Sequence, residues 1–439
     1  MAAGEHLFLE PPPAPATLAE SGLNIGLLVQ LVLKTLHLAG TISGTDLSAR
    51  LGLAFSVLEP ALDELKAQRH CEVVAGSLVG GPAFKYRISD AGRERASLFL
   101  QNNHYVGVAP VPLEQYRSYI RRFNETFVND VTPDRIRAAF HHLVLSDKVL
   151  DQLGPAVRAG RSLFIYGPPG NGKTAISQGI AHLLDGDIAI PHALEVDGAI
   201  IRFFDPVTHQ AVPEAGGQGT RLDQGLLPDR RWVRCRRPAV VVGGELTLHS
   251  LEASYGPSVG FYRAPLQVLA NGGVLVVDDF GRQHCSPRDL LNRWIVPLET
   301  GHDFLTLQTG LKFDIPLATF IVFATNVRPT DLVDEAFFRR IQFKVFAENP
   351  THRDFLTIFR NHCAEVGVEF DEAIVEGLLR DYFRPRHIPL RGCQPRDLVN
   401  QALAMAEYTG LERRLTPALL EAACNSYFVD DAEREPEYA

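Results

Sequence analysis

Leu163-Phe164-Ile165-Tyr166-Gly167-Pro168-Pro169-Gly170-Asn171-Gly172-Lys173-Thr174 joins an apolar strand to a loop of the form G-x-x-x-x-G-K-T. The spacing has a physical basis. Glycines let successive backbone N–H groups wrap a phosphate, the lysine reaches the outer phosphates, and the neighbouring hydroxyl is set to ligate Mg2+. Gly167, Pro168, Pro169, Gly170, Asn171, Gly172, Lys173 and Thr174 are therefore candidates to bind a nucleoside triphosphate, with Thr174 also a metal ligand. The flanks agree: a strand precedes the loop, and Thr174 to Ala181 has the apolar spacing of a following helix. A chance Gly/Pro turn has no reason to carry both.

At 439 residues the chain can form two or three domains, and its 46% hydrophobic content excludes wholesale disorder. Six scattered cysteines form no C-x-x-C pair, which points to free thiols, a reducing cytoplasm and no structural zinc. The first residues lack the basic flank and apolar core of a signal peptide, and Gln30 and Lys34 interrupt the longest apolar run near them. A soluble protein without membrane insertion is expected. A net charge of -9 argues against a nucleic-acid coat and leaves room for a local basic surface.

Pro11-Pro12-Pro13-Ala14-Pro15 suggests that residues 1–23 are a disordered, extended tail. Between 24 and 104, Ile25, Leu28, Val29, Val32, Leu33 and Leu36 share a helical face, Thr45 opens a second helix, and Ser56 with Glu59 reads as the capping box of a third. Strands at Cys71 to Ala75 and Phe84 to Ile88 follow, then a helix from Ser89. This order resembles a winged helix. Its third helix offers Glu59, Asp63 and Glu64 against Lys66 and Arg69, which favours protein docking over DNA contact. Residues 105–123 read as a linker.

Val274-Leu275-Val276-Val277-Asp278-Asp279 is a buried-strand pattern delivering two acids to its end; it resembles a Walker B motif, which would make Asp278 a holder of Mg2+ through water and put Asp279 where the base for the lytic water stands. Phe320 to Thr325 is another such strand, ending at Asn326, an amide able to orient that water. Asp331 to Ile341 reads as a helix ending in Arg339 and Arg340, and Arg396 opens a late helix.

The ordered set resembles the AAA+ ATPases over about residues 124 to 430, and within them the MoxR-like proteins, predicted ATPases with chaperone activity of which some are associated with pilus assembly. The resemblance implies an α/β fold with a P-loop core, a parallel sheet flanked by helices, over 124–345 and a helical lid over 346–430. It implies ATP and Mg2+ as cofactors, ATP hydrolysis, and a homo-oligomer, a hexamer in the common form. Arg339 or Arg340 would reach the γ-phosphate of a neighbouring subunit, and Arg396 would contact nucleotide from the lid. The implied partner is a protein client, a pilus-assembly component among the candidates. A DNA-associated regulator or loader and an ATP-gated scaffold that hydrolyses slowly are the alternatives.

Two departures stand out. Asp279 occupies a place where glutamate is usual, one methylene shorter. From Lys173 to Asp278 the chain runs 105 residues, which implies an insertion near 190–262. That insertion holds Arg230, Arg231, Arg234, Arg236 and Arg237 around Trp232, readable as a polyanion surface or as an exposed hairpin face. It ends with Phe261 and Tyr262, readable as a polypeptide-gripping pore loop or as packing residues. Residues 431–439 read as a solvated acidic tail.

Overall fold

The computed structural model describes residues 8–75, 81–127, 129–213, 228–328 and 338–428. Its centre is a five-stranded sheet built from β1 (Ser162–Tyr166), β2 (Ala239–Val242), β3 (Val274–Val277), β4 (Phe320–Thr325) and β5 (Phe343–Phe346). The spatial order is β2-β3-β4-β1-β5 and every pairing is parallel. Four of the β1 residues, and every residue of β3 and β4, are buried, as a sheet covered on both faces requires. One face packs on Ile136, Leu153, Ile176 and Ile180 from helices Pro133–Ala139, Asp147–Ala159 and Lys173–Leu183; the other packs on Leu290 and Trp294 from helix Pro287–Thr300. Parallel strands put all their C-terminal ends on one edge. β1 ends there in the phosphate loop, β3 in Asp278 and β4 in Asn326.

The C-terminal helices His352–Glu365, Glu372–Leu378, Gln394–Thr409 and Pro417–Tyr427 share one apolar core around Phe355, Phe359, Leu398 and Leu420. The architecture is thus the P-loop α/β core with helical lid that the sequence implies.

The N-terminal unit packs helices Ile25–Ala39, Gly44–Leu51, Phe55–Ala67 and Asp90–Asn102 on a three-stranded antiparallel sheet, Thr41–Ser43 and Cys71–Ala75 flanking Lys85–Ile88. The expected capping box is absent. Helix Phe55–Ala67 starts two residues earlier than a Ser56 cap requires, behind Ala54 with no side-chain cap, and the Ser56 hydroxyl donates to the Ala16 carbonyl at 2.7 Å.

Two readings of the N-terminal third are corrected. Residues 8–23 of the expected tail are packed: Phe8 and Leu9 sit against the core of the insertion, Arg234 lies 4.5 Å over the Phe8 ring, and the Tyr119 hydroxyl donates to the Leu9 carbonyl. The prolines fix an extended backbone that can be laid along a surface as readily as left in water. The expected linker is also structured. Val111–Pro112 is an edge strand of a second five-stranded sheet, and helix Leu113–Thr126 buries Tyr116, Tyr119, Ile120 and Phe123 at helical spacing.

That second sheet is mostly insertion: Ala193–Val196, Ala199–Arg202, Ser254–Gly256 and Phe261–Arg263. Its Ala193 and Ile200 belong to the same apolar core as the N-terminal helices. At this junction Lys34, 1% exposed, donates from Nζ to the Asn103 carbonyl at 3.0 Å. The predicted acidic tail lies outside the described residues, as do residues 331–337 of the helix expected before Arg339.

Candidate nucleotide site

The phosphate loop is held by contacts that leave no room for larger residues. A Cβ on Gly167 would come 2.4 Å from the Ala347 carbonyl oxygen, and one on Gly170 would come 2.5 Å from Cys393 Sγ; both glycines have positive φ. Gly172, left-handed at φ 73°, opens the helix that begins at Lys173. Lys173 is 6% exposed and its Nζ donates to the carbonyls of Gly167 at 3.0 Å and Pro168 at 2.7 Å. Burial pulls its ammonium below the ordinary lysine range and the nearby Arg391 charge acts the same way, while Asp279 and Asp278 oppose them.

Thr174, Asp278, Asp279 and Asn326 meet beside this lysine. Thr174 Oγ1 donates to Asp278 Oδ2 at 2.6 Å, and Asn326 Nδ2 donates to Asp279 Oδ1 at 3.0 Å. Asp278 Oδ1 accepts from the Asp279 N–H at 2.9 Å, which fixes the two acids relative to each other. Asp279 is left-handed at φ 47°. Among the described residues no three His, Cys, Asp or Glu side chains cluster as a metal cage. Thr174 and Asp278 do bring two hard oxygens together, which suits an ion such as Mg2+ that keeps water and phosphate as its other ligands.

The lid reaches the loop directly. Cys393 N–H donates to the Gly170 carbonyl at 2.8 Å, Gly392 N–H to Asn171 Oδ1 at 3.2 Å, and Arg391 Nη1 to the Pro169 carbonyl at 3.3 Å. Asn171 Nδ2 donates to Asn349 Oδ1 at 2.8 Å, so one buried amide joins loop, lid and the segment after β5. Between core and lid lies a cleft of about 710 Å³. Its walls include the phosphate loop, Asp278, Asp279 and Asn326 at one end, and Leu143, Leu145, Ile358 and His362 elsewhere. This is the size and mixed polarity of a small-molecule site.

Arg396 lines the cleft in the first turn of its helix, mostly exposed, with Nε and Nη2 on Asp397 Oδ1 at 3.1 Å. Arg391, which sequence reading passed over, is the lid arginine bonded to the loop. Its Arg-Gly pair before a helix looks like an ordinary turn in sequence. Arg339 is exposed, whereas Arg340 Nε donates to Glu299 Oε1 at 2.5 Å within the same chain.

The insertion's arginines and aromatics are elsewhere. Trp232 stacks on Tyr116, and Arg231 is 1% exposed on Asp229; Arg237 donates to the Gly272 carbonyl and Asn129, and Arg234 pairs with Asp187. Three of the five arginines are thus spent on partners within the chain, although Arg230, Arg234 and Arg236 keep exposure. Phe261 meets Tyr105 edge-on and Tyr262 is 5% exposed, its hydroxyl accepting from the Gln308 N–H. Phe261 pairs with Gly256 and Tyr262 with both Tyr255 and Ile201, so both aromatics lie in a sheet and pack within the chain, as the second of the two readings has it.

A family described as a domain of unknown function (DUF8689) matches residues 351–426, the lid helices. No curated protein matches the chain. The chain is similar to the solved structure of the Thermotoga maritima RuvB P216G mutant, with 14% identity, 70% of this chain and 73% of that one covered, and a TM-score of 0.37. It is also similar to NtrX from Brucella abortus, with 15% identity, 66% and 58% covered, and a TM-score of 0.40; for NtrX in complex with ATP the values are 14%, 76%, 62% and 0.37. Likenesses this distant carry no functional reading for this chain. No helix among the described residues is long and apolar enough to cross a membrane.

Proposed function

We propose that the chain is an ATPase of the AAA+ type that works as a ring oligomer, a hexamer by resemblance, and remodels or assembles a protein partner. One observation carries the reading: Lys173, Thr174, Asp278, Asp279 and Asn326 meet at the C-terminal edge of a parallel sheet, in a cleft that the lid closes on the other side.

The chemistry follows from phosphoryl transfer, whose loose transition state spreads negative charge over the γ-phosphoryl oxygens. The loop N–H groups and Lys173 bind the phosphates. Thr174 and Asp278 would hold Mg2+, which would supply positive charge against that of the phosphates. Asp279 takes the proton of the attacking water, and Asn326, bonded to that carboxylate, orients it. Arg391 and Arg396 bring lid cations to the nucleotide. Arg339 is the residue for reaching a neighbouring subunit, because it is exposed while Arg340 is engaged with Glu299. Such a finger is worth ~10^3 to 10^5 in rate in related systems.

A protein client is favoured over DNA by the exposed Glu59 and Asp63 on helix Phe55–Ala67 and by the internal pairing of the insertion's arginines. This agrees with the MoxR-like resemblance. The shorter carboxylate at 279 favours a second reading, an assembly gated by ATP binding with slow turnover.

The test is Mg2+-dependent phosphate release from ATP by the purified chain, with particle mass followed with and without nucleotide. Turnover that Lys173→Ala removes is the expected result. ATP-dependent assembly with negligible phosphate release supports the scaffold, and failure to bind ATP sinks both.

A further inference from the structure

Asp279 has a left-handed backbone at φ 47°, a conformation uncommon for an L-residue, and such strain persists only where the surroundings over-determine it. The surroundings here are largely one side chain. Gln283 turns back on the turn that follows β3 and uses both ends of its amide. Oε1 accepts from the Gly281 N–H at 2.8 Å. Nε2 donates to the carbonyls of Asp278 at 3.1 Å, Asp279 at 3.2 Å and Gly243 at 3.4 Å. The orientation of the amide is dictated by these partners, since only its oxygen can face an N–H and only its nitrogen can face carbonyls. Phe280, fully buried, anchors the turn from below, with its N–H on the Ala324 carbonyl and its own carbonyl accepting from Thr325 Oγ1.

We propose that Gln283 is a positioning residue for Asp279. By bonding the carbonyls of Asp278 and Asp279, on either side of the Asp279 Cα, it holds the left-handed turn that aims this carboxylate at Asn326. Gly243 follows β2, so the same side chain ties the end of that strand to the acid pair. The inference rests on the ATPase reading and goes beyond it, because Gln283 touches neither the phosphate loop nor, among the described residues, the Asp279 carboxylate. A shortened carboxylate needs more exact support than a longer one, since a misplacement of ~1 Å can cost about 100-fold in rate.

The experiment is a cycle on the full chain: wild type, Gln283→Ala, Asp279→Asn and the double variant, each measured for kcat, KM, ATP affinity and thermal melting. Gln283→Ala should lower kcat by about 10- to 100-fold with ATP affinity unchanged, and should cost nothing further in the Asp279→Asn background. Gln283→Glu keeps the acceptor for Gly281 and loses the donors, so it should reproduce the loss if the alanine variant folds poorly. Wild-type turnover in both Gln283 variants overturns the inference, as does an equal further loss on top of Asp279→Asn. An absence of hydrolysis by the wild type removes the ATPase reading and this inference with it, an outcome recognisable from the wild-type arm alone.

Discussion

Asp279, the proposed base, is the shorter of the two acidic residue types, and Asn326 holds one of its two oxygens. Asp279→Asn should reduce phosphate release by at least ~100-fold while ATP binding persists, a loss of the size general bases contribute; equal turnover would show that another group takes the proton. Arg339→Ala should abolish turnover only in the assembled state, and Arg340→Ala should instead lower melting temperature slightly, because the ion pair to Glu299 is partly exposed. Mixing each variant with the Lys173→Ala chain reads this out: sites that pair an intact phosphate loop with an intact Arg339 from a neighbour should recover activity. Lys34 gives a prediction of another kind. Burial pulls its ammonium down from 10.5 to about 8. Between those values the unfolded chain binds the proton and the folded chain does not, so stability rises with pH across that window. Lys34→Met should therefore stabilise the chain by ~1–3 kcal/mol near neutrality and lose that advantage as pH approaches the upper value. Denaturant melts at both ends of the window check it.

At the scale of elements, the lid is attached to the phosphate loop through the backbone N–H groups of Gly392 and Cys393, the Arg391 guanidinium and the Asn171 amide. Asn171→Ala removes the acceptor for Gly392 and the donor to Asn349; it should cost ~1–2 kcal/mol and speed nucleotide release, as stopped-flow with a fluorescent ATP analogue would record. This scale is also where sequence reading succeeds and fails. β1, β3 and β4 are legible because a strand buried on both faces must be apolar throughout, and because the polar residue ending each run has no other reason to be there. The contacts of Arg391 and Gln283 are not legible. Both act on backbone carbonyls, and a residue that bonds to a main chain leaves no partner type in the sequence to betray it. Trp232 with its arginines misleads for the converse reason: charge and aromaticity read as surface, yet each buried arginine has found a carboxylate or carbonyl that lies far away along the chain.

At the scale of the molecule, the Pro-rich start and the residues after Asn102 are legible only in composition, and composition does not say whether an extended segment lies in water or along a groove. The structure joins these segments through Arg231. Its guanidinium bonds Asp229, the Ser21 and Pro110 carbonyls and Gln115 Oε1, gathering three stretches of chain in one buried place. Arg231→Ala leaves Asp229, fully buried, without its counter-ion and should cost ~3–5 kcal/mol. Limited proteolysis should then cut between the N-terminal unit and the core. An unchanged melting profile would mean that the junction is held by its apolar contacts alone.

The shared core around Ala193 and Ile200 has a mechanical corollary. A module on a flexible tether could swing freely, but a module whose interior runs into that of the insertion behaves as a bracket. Whatever docks there is carried at a fixed bearing to the insertion's sheet, so under the proposed ring ATPase any stroke delivered to it would come from the lid or from a neighbouring subunit.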